Sequence, residues 1–338
     1  MRPYTAPGVT ALDEATARKT LLELADDRPG AALAVGVRLG LFTTLAPGVR
    51  TASELARDTG AVEPALEVLA NALVAIGVLT KDAGRYANAD LAAACLVQGG
   101  APYLGGLVTT GRPTGMAGRL WRAVRTTGQR SPSRPEALTR TLSRSLYRDA
   151  LVCGPRLARA VDLSGRARLL DVGGGLGGYA AAFCDAYPAL RATVFDLPRV
   201  VAEGRRLTAK SAIADRLGFV EGDFLRDPLP GGSDVVLASD VLHGQQPQDA
   251  RRLVRALFDA LAPGGLLVLR DVLMNGERTA PRWAALFSLT LLMASSSRCY
   301  AEDEVRGWLA DAGFRDVREV VVETEGWDPN RVLLATRA

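Results

Sequence analysis

The chain has 338 residues, 48% hydrophobic and 23% charged, the balance of a folded globular protein and, at roughly 100–200 residues per domain, enough for two domains. A net charge of +4 is too small for a dedicated nucleic-acid binder unless it is concentrated in one place, and a single histidine, His243, excludes multi-histidine metal cages and most catalytic triads. Cys95, Cys153, Cys184 and Cys299 form no CxxC pair, and neither a signal peptide nor a long apolar run stands out, so no metal, no membrane association and a cytoplasmic location are expected.

The N-terminal third reads as helical. Residues 29–45 are apolar on nearly every side, which predicts burial against another element or another subunit. Thr51, with Glu54 three residues on, forms a capping box that opens a helix over TASELARDTG. A second helix runs from Glu63 to about Ile76, and residues 78–88 carry two short extended pieces around Asp82-Ala83-Gly84, which suits a hairpin. Helix, turn, helix and hairpin outline a winged helix. The candidate recognition helix carries Glu63 and Glu67 and no lysine or arginine, whereas groove binding needs cations against phosphates. Residues 1–98 therefore read as a winged-helix-like dimerisation domain, with no nucleic-acid partner.

Residues 99–165 read as a helical linker. They hold an arginine concentration, Arg112, Arg119, Arg122, Arg125, Arg130, Arg134, Arg140, Arg144 and Arg148, with an ordered loop expected around Ser131-Pro132-Ser133. Two readings stand: a solvated helical face, or one or two arginines holding an anionic group of a substrate.

From 166 to 338 strand and helix alternate. Strand-like runs fall at 168–172, 191–195, 217–220, 234–238 and 266–272, with helical patterns at 177–187, 199–209 and 248–262, the signature of a parallel sheet covered on both faces. Helical stretches at 280–295 and 302–312 follow, and the ending reads as two strands in a hairpin, so at least one runs antiparallel to the rest.

The sharpest motif is Leu169-Leu170-Asp171-Val172-Gly173-Gly174-Gly175-Leu176-Gly177-Gly178. Its glycines let the chain turn tightly after a buried strand and approach a ligand. Asp171 just ahead of them would repel a pyrophosphate but accept hydrogen bonds from the loop or from an ammonium group. Asp196 ends the next strand, where a carboxylate takes ribose hydroxyls, and Gly222-Asp223-Phe224 ends the third, with an acceptor for an adenine amino proton and a ring to lie against the base. Together these favour a nucleoside without a pyrophosphate.

DVGGGLGG, the Asp196 strand end, GDF at 222–224, VLH at 241–243, LAPGG at 261–265 and AGF at 312–314 resemble the S-adenosylmethionine-dependent O-methyltransferases of the caffeate and hydroxyindole type and their bacterial natural-product relatives. The resemblance spans nearly the whole chain. It implies an α/β fold, a Rossmann-like class I methyltransferase domain behind an N-terminal winged-helix domain, an intertwined homodimer and methylation of a small molecule. By it, Asp171, Gly173 and Gly175 face the methionine moiety of S-adenosyl-L-methionine, Asp196 holds the ribose, and Asp223 and Phe224 hold the adenine. Ser239 stands where plant relatives place a cofactor-side lysine, four residues before the histidine.

His243, just past the fourth strand, matches the family's general base, and its ordinary pKa of about 6.5 suits accepting a phenolic or enolic proton. Asp271 matches the acid that orients it, while the family's second acidic residue, expected shortly before the AGF helix, is replaced near Cys299. The usual Asp-Trp after the histidine is replaced by Gly244-Gln245. An acceptor pocket is expected between the linker and the 280–295 helix, lined by Tyr147, Trp283, Phe287, Thr290 and Met293. The leading expectation is methylation of a hydroxyl. Alternatives are methylation of an enol carbon or a nitrogen, or a non-methylating reaction (hydroxylation, decarboxylation or a pericyclic step) on the same fold, which the altered residue after His243 keeps open.

Overall fold

The computed structural model describes residues 20–21, 23–109, 114–126, 136–323 and 329–338, the side chains of 136–142 excepted. The expected loop at 131–133 and Arg112, Arg130 and Arg134 lie outside them, as does the side chain of Arg140.

The apolar 29–45 stretch forms two helices, α1 (Arg28–Arg38) and α2 (Leu41–Thr44). Gly40 separates them at φ +70°, the left-handed residue that commonly ends a helix because it lacks a Cβ. Strand β1 (Arg50–Thr51) leads into α3 (Ala52–Thr59), where the capping box forms as expected: the Glu54 amide donates to Thr51 Oγ1 at 3.2 Å and the Thr51 amide to Glu54 Oε2 at 2.8 Å. Helix α4 (Glu63–Ala75) follows, then β2 (Leu79–Asp82) and β3 (Arg85–Asn88), joined through Ala83 and Gly84, both at positive φ, the backbone that matches strand twist in a tight hairpin. β1 adds to β3 as a third strand.

Among the described residues, four helices occupy the middle of the chain: α5 (Asp90–Cys95), α6 (Gly105–Val108), α7 (Gly115–Arg125) and α8 (Glu136–Ala160). The C-terminal part then runs β4 (Arg168–Val172), α9 (Gly178–Ala186), β5 (Arg191–Asp196), α10 (Pro198–Thr208), β6 (Leu217–Glu221), β7 (Ser233–Ser239), α11 (Pro247–Ala260), β8 (Leu261–Asp271) and β9 (Leu273–Met274). Helix α12 (Arg282–Ser295), β10 (Tyr300–Ala301), α13 (Glu302–Ala312), β11 (Phe314–Val320) and β12 (Arg331–Arg337) complete it.

The main sheet has seven strands in the order β11-β12-β8-β7-β4-β5-β6. The five from β8 to β6 are mutually parallel, and β12 and β11 run antiparallel to their neighbours, as the terminal hairpin predicts. One face buries Leu170, Val236 and Leu267 against α11 and α13, and the other buries Leu169, Val235 and Val268 against α8 and α9. The strand order reverses direction at β4, and the crevice at such a switch point is where α/β sheets bind ligands. The small parallel pair β9–β10, made from residues far apart in the chain, has no local sequence signal.

Packing crosses the boundaries that the sequence suggests. Leu120 and Val124 of α7 and Leu286, Leu289 and Leu292 of α12 share one hydrophobic cluster with Val35, Leu66, Leu69 and Leu73 of the N-terminal helices. Among the described residues no helix is long and apolar enough to cross a membrane.

Candidate active site

The glycine turn follows β4. Gly173, Gly175 and Gly177 all have positive φ, from +60° to +83°. The Gly173 amide donates to Phe195 O at 2.8 Å and the Gly175 amide to Asp196 Oδ2 at 2.8 Å, which pins the turn to the end of β5. A Cβ at Gly173 would lie 2.6 Å from Val241 Cγ1 and 3.3 Å from the Phe224 ring, so the ends of β4 and β7 and the GDF segment meet there and leave no room for a side chain.

Asp171 lies beneath the turn, 1% exposed, with neither carboxylate oxygen in a hydrogen bond. Burial, then the nearby Asp196 carboxylate, pushes its pKa up to about 7, and the Ala180 amide offsets part of this without reaching hydrogen-bond geometry. A buried carboxylate without a donor is costly, and an incoming ammonium group would relieve it. The loop itself does not supply the donors that the sequence reading allowed for. Asp196 is raised by burial against the opposing pull of the Leu197 and Gly175 amides, which it accepts at 2.7 and 2.8 Å. With two lone pairs on each oxygen, it keeps acceptor capacity for hydroxyls. Asp223 accepts the Leu225 amide at 3.0 Å, and Phe224 packs beside Gly173. An orphaned carboxylate, a glycine cradle, a hydroxyl acceptor and a ring along one edge fit an amino-acid nucleoside such as S-adenosylmethionine.

His243 follows the end of β7. Its Nδ1 donates to Asp271 Oδ1 at 2.6 Å, and Asp271, 1% exposed, also accepts the Leu242 amide at 2.9 Å and the Val272 amide at 2.8 Å. This bond fixes the tautomer and leaves Nε2 as the proton acceptor. Burial alone would lower the His243 pKa. The charge and hydrogen bond of Asp271, with Asp240 behind them, outweigh it and hold the pKa above the ordinary value.

The cluster at Asp240 has no sequence signal. Asp240 sits in the left-handed region at φ +59° and accepts from Ser239 Oγ at 2.9 Å and from the buried Arg270 guanidinium, which also reaches Ser239 Oγ at 3.2 Å and covers the Tyr179 ring at 5.2 Å. Burial raises the Asp240 pKa against the pull of Arg270. A second carboxylate near the histidine is thus supplied by Asp240, three residues before it, and not at Cys299, a fully buried thiol whose pKa burial pushes up to about 12.

The expected acceptor residues separate. Phe287 meets His243 edge-on at 5.4 Å, and Trp283 stacks on Phe287 at 4.6 Å, forming a continuous aromatic wall beside the histidine. Thr290, one helical turn further along α12, is partly buried. Met293 packs into the N-terminal hydrophobic cluster, and Tyr147 lies against Gly178 at the start of α9, on the cofactor side. The Gly244-Gln245 turn that replaces Asp-Trp is held from below, since Tyr300 donates its hydroxyl proton to Gln245 O at 2.6 Å. No metal-binding cluster occurs among the described residues.

Residues 105–315 match the O-methyltransferase domain and residues 28–98 the O-methyltransferase dimerisation domain. The fold is that of a class I methyltransferase, and the chain belongs to the O-methyltransferase family. It is 34% identical to the 3-hydroxy-5-methyl-1-naphthoate 3-O-methyltransferase of Streptomyces sahachiroi over 87% of this chain and 88% of that protein. It is 31% identical to the mitomycin biosynthesis 6-O-methyltransferase of Streptomyces lavendulae (91% and 90%) and 32% identical to the N,N-dimethyltransferase OxyT of Streptomyces rimosus (84% and 86%). Among solved structures, an O-methyltransferase family 2 protein of Planctomyces limnophilus in complex with apigenin superposes with a TM-score of 0.84 at 29% identity, with 97% of each chain covered. The enzyme is an S-adenosylmethionine-dependent methyltransferase acting on a small molecule.

Proposed function

We propose that the enzyme methylates a phenolic or enolic hydroxyl of a flat aromatic natural product, with His243 as general base and Asp271 as the residue that orients it. The observation that carries this reading is the 2.6 Å His243–Asp271 bond set edge-on to the Phe287–Trp283 wall. A proton acceptor and a stacked pair of aromatic rings stand together just past the end of β7. Relatives that act on a hydroxynaphthoate and on mitomycin support an acceptor of this class.

S-adenosylmethionine, when bound, supplies an electrophilic methyl group on a sulfonium. The chain's own residues align and deprotonate the acceptor. Phe287 and Trp283 would hold the acceptor ring, and His243 Nε2 would take the hydroxyl proton, making the oxygen the nucleophile toward the methyl group that the bound cofactor would supply. Asp271 stabilises the imidazolium that results, leaving a methyl ether and S-adenosylhomocysteine. On the cofactor side, Asp171 is suited to the ammonium, the glycine turn to close backbone approach, Asp196 to the ribose, Asp223 and Phe224 to the adenine, and Ser239 to the methionine end. Alignment and the base together account for the catalysis such a displacement requires.

The chain is further proposed to act as a cytoplasmic homodimer. In support, Leu91 and Leu107, 63% and 74% exposed, lie on the helical stretch around the dimerisation domain, and no cysteine is in a disulfide. The test is incubation with S-adenosylmethionine and a panel of hydroxynaphthoates, hydroxyanthraquinones and flavones, followed by mass spectrometry. The expected outcome is a gain of one methyl group at oxygen with S-adenosylhomocysteine released. Methyl gain at carbon instead of oxygen, or conversion without methyl gain, would overturn the assignment.

A further inference from the structure

A charge cluster joins the N-terminal domain to the segment that connects the base to the acceptor wall. Lys81, one of only three lysines in the chain, has 4% of its side chain exposed. Its Nζ donates to Asn71 Oδ1 at 3.1 Å and to the Glu277 carbonyl at 2.8 Å, and lies 3.3 Å from the Glu277 carboxylate and 3.9 Å from Glu67. Tyr86 braces it from the other side: its ring lies 5.0 Å from Nζ, and its hydroxyl donates to Asn71 Oδ1 at 2.7 Å. Arg278 reaches back to Glu67 and lies 3.7 Å from Glu304, which Arg298 holds at 2.7 Å.

Residues 275–280 follow Asp271 and β9 and lead directly into α12, which carries Trp283 and Phe287. Arg278 adopts φ +58°, a conformation that a non-glycine residue keeps only where its surroundings hold it. The segment has internal bonds, with Asn275 Oδ1 accepting the Thr279 and Ala280 amides at 2.9 Å. Its attachment to α4 and β2 is nevertheless made by Lys81 and Arg278. Burying a lysine is costly unless it is paired and hydrogen-bonded, so both sides of this contact are closely specified.

We propose that Lys81, Glu67 and Arg278 are positioning residues that set the acceptor wall against His243, so that the dimerisation domain takes part in acceptor recognition without touching the acceptor. The proposal rests on the reading of Trp283 and Phe287 as that wall. The clasp adds polar ties at the segment leading into α12 to the apolar packing of α12 on α4, where Leu286 and Leu289 share a core with Leu66 and Leu69, while the glycine turn and the Asp171 site stand on β4 and β5, away from it. Loosening it therefore shifts the acceptor side and spares the cofactor side.

The test compares Lys81→Met, Arg278→Gln and Arg278→Lys with wild type in the full-length enzyme, with 3-hydroxy-1-naphthoate as the first acceptor probe. Acceptor KM and kcat, S-adenosylhomocysteine affinity by calorimetry, and Tm are measured. Lys81→Met and Arg278→Gln should raise acceptor KM about tenfold or more, the scale of a small misplacement, with S-adenosylhomocysteine affinity unchanged and with most of the loss recovered in Arg278→Lys. Should Lys81→Met not fold, the more exposed Arg278 carries the test. Wild-type kinetics with a lowered Tm would make the clasp merely structural and overturn the proposal, as would an equal loss of S-adenosylhomocysteine affinity. Phe287→Ala is assayed alongside: if it leaves acceptor KM unchanged, the wall assignment itself fails, a result distinct from failure of the clasp.

Discussion

Asp271→Asn is the most informative perturbation of the base. All three neighbours of the Asp271 carboxylate are donors: His243 Nδ1 at 2.6 Å, the Leu242 amide at 2.9 Å and the Val272 amide at 2.8 Å. An asparagine must turn its NH2 toward at least one of them, which an acceptor-only group avoids. Losing a charge-assisted bond of this kind costs about 1.5–3 kcal/mol. At 1.36 kcal/mol per pKa unit, the His243 pKa should fall by about one to two units. Burial then acts with less opposition. The base works unprotonated, so wild-type kcat falls as pH drops through a pKa above the ordinary histidine value, and in Asp271→Asn this acid limb moves to lower pH. At the plateau, kcat should fall by about 10²–10⁴ through lost orientation and basicity.

Stability should follow the same linkage. The folded pKa of His243 lies above its unfolded value, so the pair stabilises the fold fully below about pH 6.5 and loses that contribution as pH rises through the folded pKa. The Tm deficit of Asp271→Asn should therefore be larger at acid than at alkaline pH. Steady-state kcat across pH with a saturating acceptor, together with Tm over the same range, measures both effects. A variant whose kcat stays within about threefold of wild type and whose acid limb does not move would refute the assignment of base and orienting acid.

Other positions give separate tests. Gly173→Ala places an L-residue at φ +68° with its Cβ 2.6 Å from Val241 Cγ1. The left-handed conformation alone costs roughly 1–2 kcal/mol, so Tm and S-adenosylhomocysteine affinity should both fall, and unchanged affinity would remove the turn from the cofactor site. The folded pKa of Asp171, about 7, lies above its unfolded value, so its ionisation destabilises the apo fold progressively from about pH 4 up to the folded pKa. Asp171→Asn should raise the apo Tm above pH 7 and weaken S-adenosylhomocysteine binding, while the wild type releases protons on binding near pH 6, read by calorimetry in buffers of different ionisation enthalpy. Thr51→Ala, which removes the capping box, should lower unfolding free energy by about 0.5–2 kcal/mol in urea titrations without altering kinetic constants.

What the chain declares locally is what short-range physics controls. The Thr51–Glu54 box, the Ala83-Gly84 turn, the strands around the glycine turn and the antiparallel end of the sheet depend on residues a few positions apart, and the structure contains them where the pattern puts them. His243 and Asp271 were singled out by the resemblance, through the VLH match and the end of the fifth strand, and the parallel pairing of β7 with β8 brings the two side chains within hydrogen-bond reach. The apolar 29–45 stretch is divided at Gly40, a single left-handed residue that apolar composition does not mark as a break.

The remainder depended on contacts between distant parts of the chain. Tyr147 and Met293 have the chemistry of pocket residues, yet one faces Gly178 and the other the N-terminal core, because helix orientation is set by packing that periodicity does not specify. Asp240 and Arg270 look like ordinary surface charges in sequence. Strand register places Arg270 beside Ser239, where it meets Asp240 in partial burial, and Lys81 meets Glu277 across 196 positions. The sequence by itself determined the elements and the glycine turn and, with the family resemblance, singled out His243 as the candidate base. Only the tertiary structure decided which charges neutralise one another and which aromatic rings face that base, since both follow from desolvation and packing between residues that the chain keeps far apart.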